Sequence, residues 1–371
     1  MDKKKNLILF YPSFEKGGVT NILKNLIKNK NNKKFIIHII SSKNFLSNVL
    51  KKKKNLYFYP VAKKINIPFF PKRFTTALDG MFVLTSLLKR LKEKVIIHSM
   101  QSNVAAIIVC IFKRKKIIIR NSENPIYSTI NSENNFFGFI TFCLKLIFYN
   151  FADGIITNSK GSANSLRYFV FNKNKINYIY NPYLKEINKK KFKKKNYIIN
   201  IGRLRKQKDQ KTLLYAFKIF LKKNKKYKLL ILGHGNLEHK LKALSKELKI
   251  SNKVIFKGWI KNTEMYLKKS KIFVLSSVYE GLGNVLIDAI NLNVPCVSTD
   301  CPSGPSEILL DGRGGYLVRV KSPELLAEKL NFSINNYSNS MKKNSIAKKK
   351  LNRFLISNQS KKYFDYLGKF N

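Results

Sequence analysis

Two series of short apolar runs, each run separated from the next by a helical stretch, constrain this chain more than any other feature. In the first half "NLILFYP", "FIIHIIS", "NLYFYPV", "KVIIHSM", "KIIIRNS" and "GIITNS" read as strands. Between them "TNILKNLIKN", "TTALDGMFVLTSLLKRLK", "NVAAIIVCIF" and "KGSANSLRYF" carry helical spacing. Alternation of this kind means a parallel sheet with crossover helices. A Pro turn and a run of Lys follow, in "IYNPYLKEINKKKFKKKN" at 179–196, with little apolar content. A second series then begins with "YIINIGR", "YKLLILG", "KVIFKGW", "IFVLSS" and "PCVSTD". The expected fold is α/β, two Rossmann-like domains facing across a cleft, and a chain of 371 residues is long enough for each to bury its own core. The expected division is an N-terminal acceptor-side domain at 1–183 and a basic linker at 184–196. A C-terminal nucleotide-sugar domain at 197–345 and a helical tail at 346–371, packing back on the first domain, complete it.

Charge is the next question, because 73 Lys and Arg against 20 Asp and Glu give a formal net charge of +53. Lys and Arg release counterions from phosphates, which favours a nucleic-acid partner. Only ten of the 73 are Arg, however, and the Lys are spread along the whole chain with abundant Asn, Ile and Phe. That pattern fits drift toward A/T-rich codons, and the chain has neither aromatics interleaved on a basic face nor a standard binding module. No specific nucleic acid is therefore expected. An anionic membrane surface is, since each Lys near such a leaflet contributes about 1 kcal/mol. The stretch "FFGFITFCLKLIFYNFADGIIT" at 136–157 is broken by Lys145 and ends like a strand, so it reads as a helix with one apolar face rather than a span. "MDKKKNLILFYP" has no leader-like apolar region with a cleavage site, and Cys110, Cys143, Cys296 and Cys301 form no C-x-x-C pair. A cytoplasmic protein with reduced thiols, peripheral on the inner face of the membrane, is the expectation.

Ligands of open α/β sheets bind beyond the carboxyl ends of the strands. Three such loops stand out in the second half: "INIGRLRKQKD", "LGHGN" and "LSSVYEGLGNVLIDAI". In the last, Gly281 and Gly283 permit a tight turn and leave free amides near Leu282, Gly283, Asn284 and Val285 at a helix start. Such a terminus attracts phosphate. Glu280 and Asp288 flank it, and carboxylates repel phosphate, so acids there would bond neutral hydroxyls; a diphosphate between two polyols is a nucleotide-sugar. The alternative is that these acids only complement the helix dipole. Arg203 and Lys208, five apart at the mouth of another strand, are a fork and a point charge that can grip a diphosphate without a metal.

Together "GGVTNIL", "IGRLRKQKD", "LILGHGN", "VIFKGW" and "LSSVYEGLGNVLIDAI...VPCVSTDCPSGPSEILLDGRGGYLV" resemble the retaining glycosyltransferases of family four, with the glycosyltransferase-B fold. The resemblance is dense from about 197 to 320 and thin before 150. It assigns Arg203 and Lys208 to the donor diphosphate, Glu280 to the donor sugar and Asp288 to the ribose. Asp288 departs from the pattern, being a methylene shorter than the usual Glu. Gly17 and Gly18 match a glycine loop near the donor phosphates, whose alternative is a plain strand-to-helix turn. Gly233 and Gly235 shape a loop near the nucleotide, and Ser277 joins the donor-binding set. His234 reads as a loop side chain, and the backbone at Gly258 and Trp259 as facing the nucleobase or packing in the core. "CPSGPSEIL" reads as a loop over the site, with Glu307 capping the next helix. His98, closing an apolar strand, is the candidate for an acceptor-side catalytic His, with a structural role as the alternative.

The activity implied is a metal-independent retaining transfer of a hexose or N-acetylhexosamine, with no cofactor, from a nucleoside-diphosphate sugar, most simply UDP-linked. The acceptor implied is a glycan or lipid-linked saccharide of capsule, lipopolysaccharide or other surface-glycan assembly. Within enzymes the rival is a nucleotide-sugar epimerase of the same fold; outside them it is a basic nucleic-acid-binding protein. Sequence alone expects Arg203→Ala and Glu280→Ala to lower transfer and to leave melting nearly unchanged.

Overall fold

A computed structural model describes residues 4–13, 18–29, 34–42, 54–62, 65, 67, 72–91, 94–130 and 135–370. Within them the first sheet has seven strands: β1 Lys5–Phe10, β2 Phe35–Ser41, β3 Leu56–Pro60, β4 Val95–Ser99, β5 Ile117–Asn121, β6 Gly154–Thr157 and β7 Ile176–Tyr178. Their order is β3-β2-β1-β4-β5-β6-β7. The second sheet has six: β8 Tyr197–Ile201, β9 Lys228–Leu232, β10 Val254–Phe256, β11 Ile272–Leu275, β12 Cys296–Thr299 and β13 Tyr316–Val318, in the order β10-β9-β8-β11-β12-β13. Every pairing in both is parallel.

Side chains along a strand alternate between faces, and here both faces are covered. Leu7 and Leu9 of β1 enter a cluster with Ile22, Leu23 and Ile39, whereas Ile8 and Phe10 enter another with Leu84, Ile97 and Ile107. In the second sheet Ile198 of β8 packs with Phe217 and Leu229, while Ile199 packs with Leu286 and Ile290. Each such fully buried side chain contributes about 1.5–3 kcal/mol relative to exposure, so a strand polar on alternate positions would not hold this place. β7, β10 and β13 have three residues each; β10 is read in "KVIFKGW", whereas β7 and β13 are absent from the runs read in the sequence.

Strand order reverses between β1 and β4 in one sheet and between β8 and β11 in the other. At such a reversal the crossover helices leave on opposite faces, so the loops after the two central strands diverge and open a crevice. The chain crosses between halves twice. Outward, Tyr183 and Leu184 both donate backbone N–H groups to Phe354 O, and Leu184 bridges Leu355. The helix Ile356–Leu367 then returns to the first sheet, where Tyr363, Phe364 and Leu367 are buried in the cluster that holds Leu7 and Leu9. The stretch 136–157 divides into the helix Asn135–Phe148, a 3-10 turn and β6. Among the described residues no helix is long and apolar enough to cross a membrane.

Candidate active site

The loops after β8 and β11 emerge side by side at the second reversal, and they are tied together. Val278 N–H donates to Gln207 O at 2.9 Å, Gln207 Nε2 to Tyr279 O at 3.1 Å and Ser276 Oγ to Lys208 O at 2.8 Å. These bonds bring Lys208 Nζ to 2.5 Å from Glu280 Oε1, which also accepts Ser277 Oγ at 2.7 Å. Glu280 is buried and Lys208 nearly so. Arg203 is exposed on the same loop, its carbonyl taken by Gln210 Nε2. Its charge and that of Arg205 act on Tyr279 against Glu280 and Glu123, while burial, the largest cause, drives that phenol well above its usual range. Four of the residues chosen from sequence, Arg203, Lys208, Ser277 and Glu280, therefore share one mouth.

The helix Asn284–Asn291 opens beside them. Gly283, at φ +86, is its N-cap and supplies no side-chain cap, so the backbone N–H groups of Asn284 and Val285 have no partner within the helix. Leu282 is buried in the core under this turn. Gly281 serves a different purpose from the tight turn expected of it. A Cβ there would stand 1.9 Å from Ser122 O of the first half, so glycine is what lets the two halves meet. Gly233 and Gly235 are explained alike, since a Cβ would lie 1.8 Å from Gly202 O in one and 2.3 Å from Leu204 O in the other. Both let the loop after β9 lie against the loop that carries Arg203. His234 pairs with Glu238 at 3.1 Å on the surface, and Trp259 is exposed.

Asp288 sits one turn into the helix, where its Oδ2 accepts the hydroxyl of Tyr183 at 2.5 Å. Part of the residue reaches solvent but the carboxyl is enclosed, and burial raises its pKa from 3.8 to about 7, with the Tyr183 hydrogen bond opposing. Tyr183 was not singled out in the sequence; its Asn-Pro-Tyr turn was legible only as a linker.

Two expectations meet a different outcome, and a third falls partly outside the described residues. His98 is wholly buried, with Nδ1 3.0 Å from Ile118 O and Nε2 2.9 Å from the Tyr363 hydroxyl, and burial pushes its pKa down to about 3. A neutral ring that donates to one neighbour and accepts from the other pins the last helix and reaches no substrate, so His98 leaves the catalytic set. Glu307 does not cap its own helix: its carboxylate accepts Lys160 N–H at 3.0 Å and Gly161 N–H at 2.7 Å from the first half, and the Tyr180 hydroxyl at 3.1 Å. Gly17 lies outside the described residues, while Gly18 begins the helix Gly18–Lys28 and faces open space.

Comparison with known proteins decides the family. The model for "Glycosyl transferases group 1" matches residues 184–350. A Campylobacter jejuni protein named as an N-acetylgalactosamine-N,N'-diacetylbacillosaminyl-diphospho-undecaprenol 4-alpha-N-acetylgalactosaminyltransferase is 31% identical over 268 residues, 70% of each chain. The chain is a group 1 glycosyltransferase. An uncharacterised glycosyltransferase of Methanocaldococcus jannaschii is 34% identical over 274 residues, which span 64% of this chain and 66% of that relative. Among solved structures, Anabaena HepE in complex with UDP and glucose superposes with a TM-score of 0.77 at 15% identity, covering 98% of this glycosyltransferase and 99% of HepE. The two facing parallel sheets are the glycosyltransferase-B fold.

Proposed function

We propose that this glycosyltransferase moves a hexose or N-acetylhexosamine from a nucleoside-diphosphate sugar, UDP-linked, to a glycan or lipid-linked acceptor in surface-glycan synthesis, retaining the anomeric configuration without a metal. One observation carries the donor half of the reading. Lys208 and the open amides of Asn284 and Val285 converge on one mouth with a buried carboxylate, Glu280, held beside them. Lys208 and Glu280 neutralise each other. A nucleotide-sugar offers each a replacement: diphosphate oxygens for Lys208 and sugar hydroxyls for Glu280. Arg203, exposed on the same loop, closes on the same diphosphate. As the anomeric C–O bond breaks, its electron pair passes to the diphosphate oxygen, where these donors stabilise the growing charge. The acceptor hydroxyl bonds to the anomeric carbon and its proton goes to the leaving diphosphate. Each such donor in comparable sites contributes roughly 2.7–4 kcal/mol to the rate.

Gly233 and Gly235 shape the nucleotide side, and Asp288, whose carboxyl the Tyr183 hydroxyl holds out of solvent, stands behind that side rather than on the ribose expected for it. Residues 1–183 take the acceptor, with Gly18, at the start of the helix Gly18–Lys28, approaching the donor phosphates, and residues 197–345 hold the donor. The Campylobacter relative, whose name places its acceptor on a diphospho-undecaprenol carrier, supports a lipid-linked acceptor, and HepE, solved with UDP and glucose, supports a uridine donor. A first half that presents exposed Phe112, Phe136 and Phe139 among Lys and Arg supports docking on an anionic membrane surface. No relative reported above is an epimerase. The test is a panel of nucleotide-sugars screened by thermal shift, followed by transfer to lipid-linked and free saccharides with the best donor. A panel without a single shift removes the donor reading.

A further inference from the structure

Arg120, near the carboxyl end of β5, is 3% exposed. Arg is almost never buried without an anionic partner, because neutral groups solvate its charge but do not cancel it. Yet no carboxylate among the described residues lies within ion-pair distance of it. Its guanidinium instead donates to two neutral oxygens, Ser122 Oγ through Nη1 and Asn181 Oδ1 through Nη2, the latter at 2.8 Å. Burial lowers its pKa, but a guanidinium starts so high that it stays charged.

The direction of the chain from Arg120 is forced. Arg only donates, so the oxygen of Asn181 must face it, and the Asn181 amide nitrogen must face away. That nitrogen lies 3.0 Å from Asn284 Oδ1, which must accept. Asn284 is thereby left with its Nδ2 as a donor that has no protein partner among the described residues. Asn284 is the first residue of the eight-residue helix whose N-terminus lacks a side-chain cap. A buried, uncancelled positive charge and a relay ending in a free donor thus meet at one helix start, and Arg120 sits in the first half while the helix sits in the second.

We infer that Arg120, through Asn181, orients Asn284 to receive a diphosphate, and that this diphosphate is the counter-charge the buried guanidinium lacks. Arg120 is then a positioning residue that makes the first domain a participant in anion binding. This rests on the transferase reading above and names a residue pair for it. The shared chemistry is a diphosphate, and two sources offer one: a nucleoside-diphosphate donor and a lipid-diphosphate acceptor.

The experiment is calorimetric binding of UDP, uridine and farnesyl diphosphate to the full chain, its Arg120→Gln variant and its Asn284→Ala variant. Arg120→Gln keeps a donor for Asn181 and loses the charge; Asn284→Ala cuts the relay without touching the buried cation, and so answers even if the first variant folds poorly. The expected result is a loss of about tenfold or more for a diphosphate ligand in either variant, with uridine changed less than about twofold. In the double variant the losses should fall short of additive. A loss for UDP assigns the donor; a loss for farnesyl diphosphate alone assigns the lipid acceptor. Equal losses for UDP and uridine, or none for any diphosphate, overturn the inference and leave Arg120 as a structural strut. If the unmodified chain binds uridine and UDP alike, or neither, the donor reading falls as well.

Discussion

At the scale of single residues, the pairing of Lys208 with Glu280 changes what mutation should do. Arg203 is exposed, so Arg203→Ala should lower transfer about a hundredfold, the loss of one charge-stabilising donor, with melting unchanged. Glu280→Ala should lower transfer comparably, but it also strands Lys208 beside a cavity, and removing one member of such a pair costs roughly 3 kcal/mol. Calorimetry of both variants checks this; equal melting for the two would contradict the pairing. Sequence alone expected both to spare the fold, because nothing local in "RKQKD" or "YEGLG" tells that the two loops touch. Asp288 adds a pH signature. Its folded pKa is raised from 3.8 to about 7, so the folded protein holds a proton that the unfolded chain releases in that window. Stability should therefore fall as pH rises from about 4 to 7, by up to about 1.4 kcal/mol per unit. Asp288→Asn should flatten that part of the profile in thermal melts from pH 4 to 8, and an unchanged slope would place the carboxyl in water.

At the scale of elements, most strands were legible and the contacts between loops were not. Runs such as "NLILFYP" and "YKLLILG" are buried on both faces, so their apolar character shows directly in the sequence. The three-residue β7 and β13 are missed, although β10, as short and also at a sheet edge, is read in "KVIFKGW". Glu307 shows a second limit: its spacing after Gly304 and Pro305 reads as a local cap, but the amide it takes belongs to Gly161, 146 residues away. The helix Lys160–Leu166 has one orphan N–H taken by its own Ser159 and two by Glu307 from the other half. Charge-assisted capping of this kind holds the halves together where Gly161 packs against Ser303. Glu307→Gln should cost about 1–2 kcal/mol in melting and should enlarge the radius of gyration in solution scattering. A variant as compact and as stable as the parent would deny Glu307 that role.

At the scale of the whole molecule, the formal charge of +53 and the helix layer of the first half belong to one question. The helices Lys72–Arg90, Asn103–Phe112 and Asn135–Phe148 pack in a row over the first sheet. From this row and the turn after it Phe82, Phe112, Phe136, Phe139, Ile147 and Phe151 reach solvent, Phe112 at 82% exposure. Lys113, Arg114, Lys115 and Lys116 follow directly at the end of the middle helix. Apolar side chains too scattered to form a core, bordered by cations, fit a surface that inserts shallowly between headgroups while Lys and Arg meet their phosphates. The charge alone does not argue this, since Lys is spread over the whole chain; the coincidence of cations with exposed Phe on one layer does. Vesicles rich in phosphatidylglycerol should therefore bind the protein and phosphatidylcholine vesicles should not, and binding should weaken as salt rises from 0.1 to about 0.5 M, where screening is short-ranged. The double variant Phe112→Asp, Phe139→Asp should lose at least about tenfold in partitioning, because each Phe that stays in water forgoes about 1.5–3 kcal/mol. Its transfer to a soluble acceptor should equal the parent's. Retained partitioning in the variant would move the membrane face elsewhere, and equal binding to neutral vesicles would leave the lysines without a part in it.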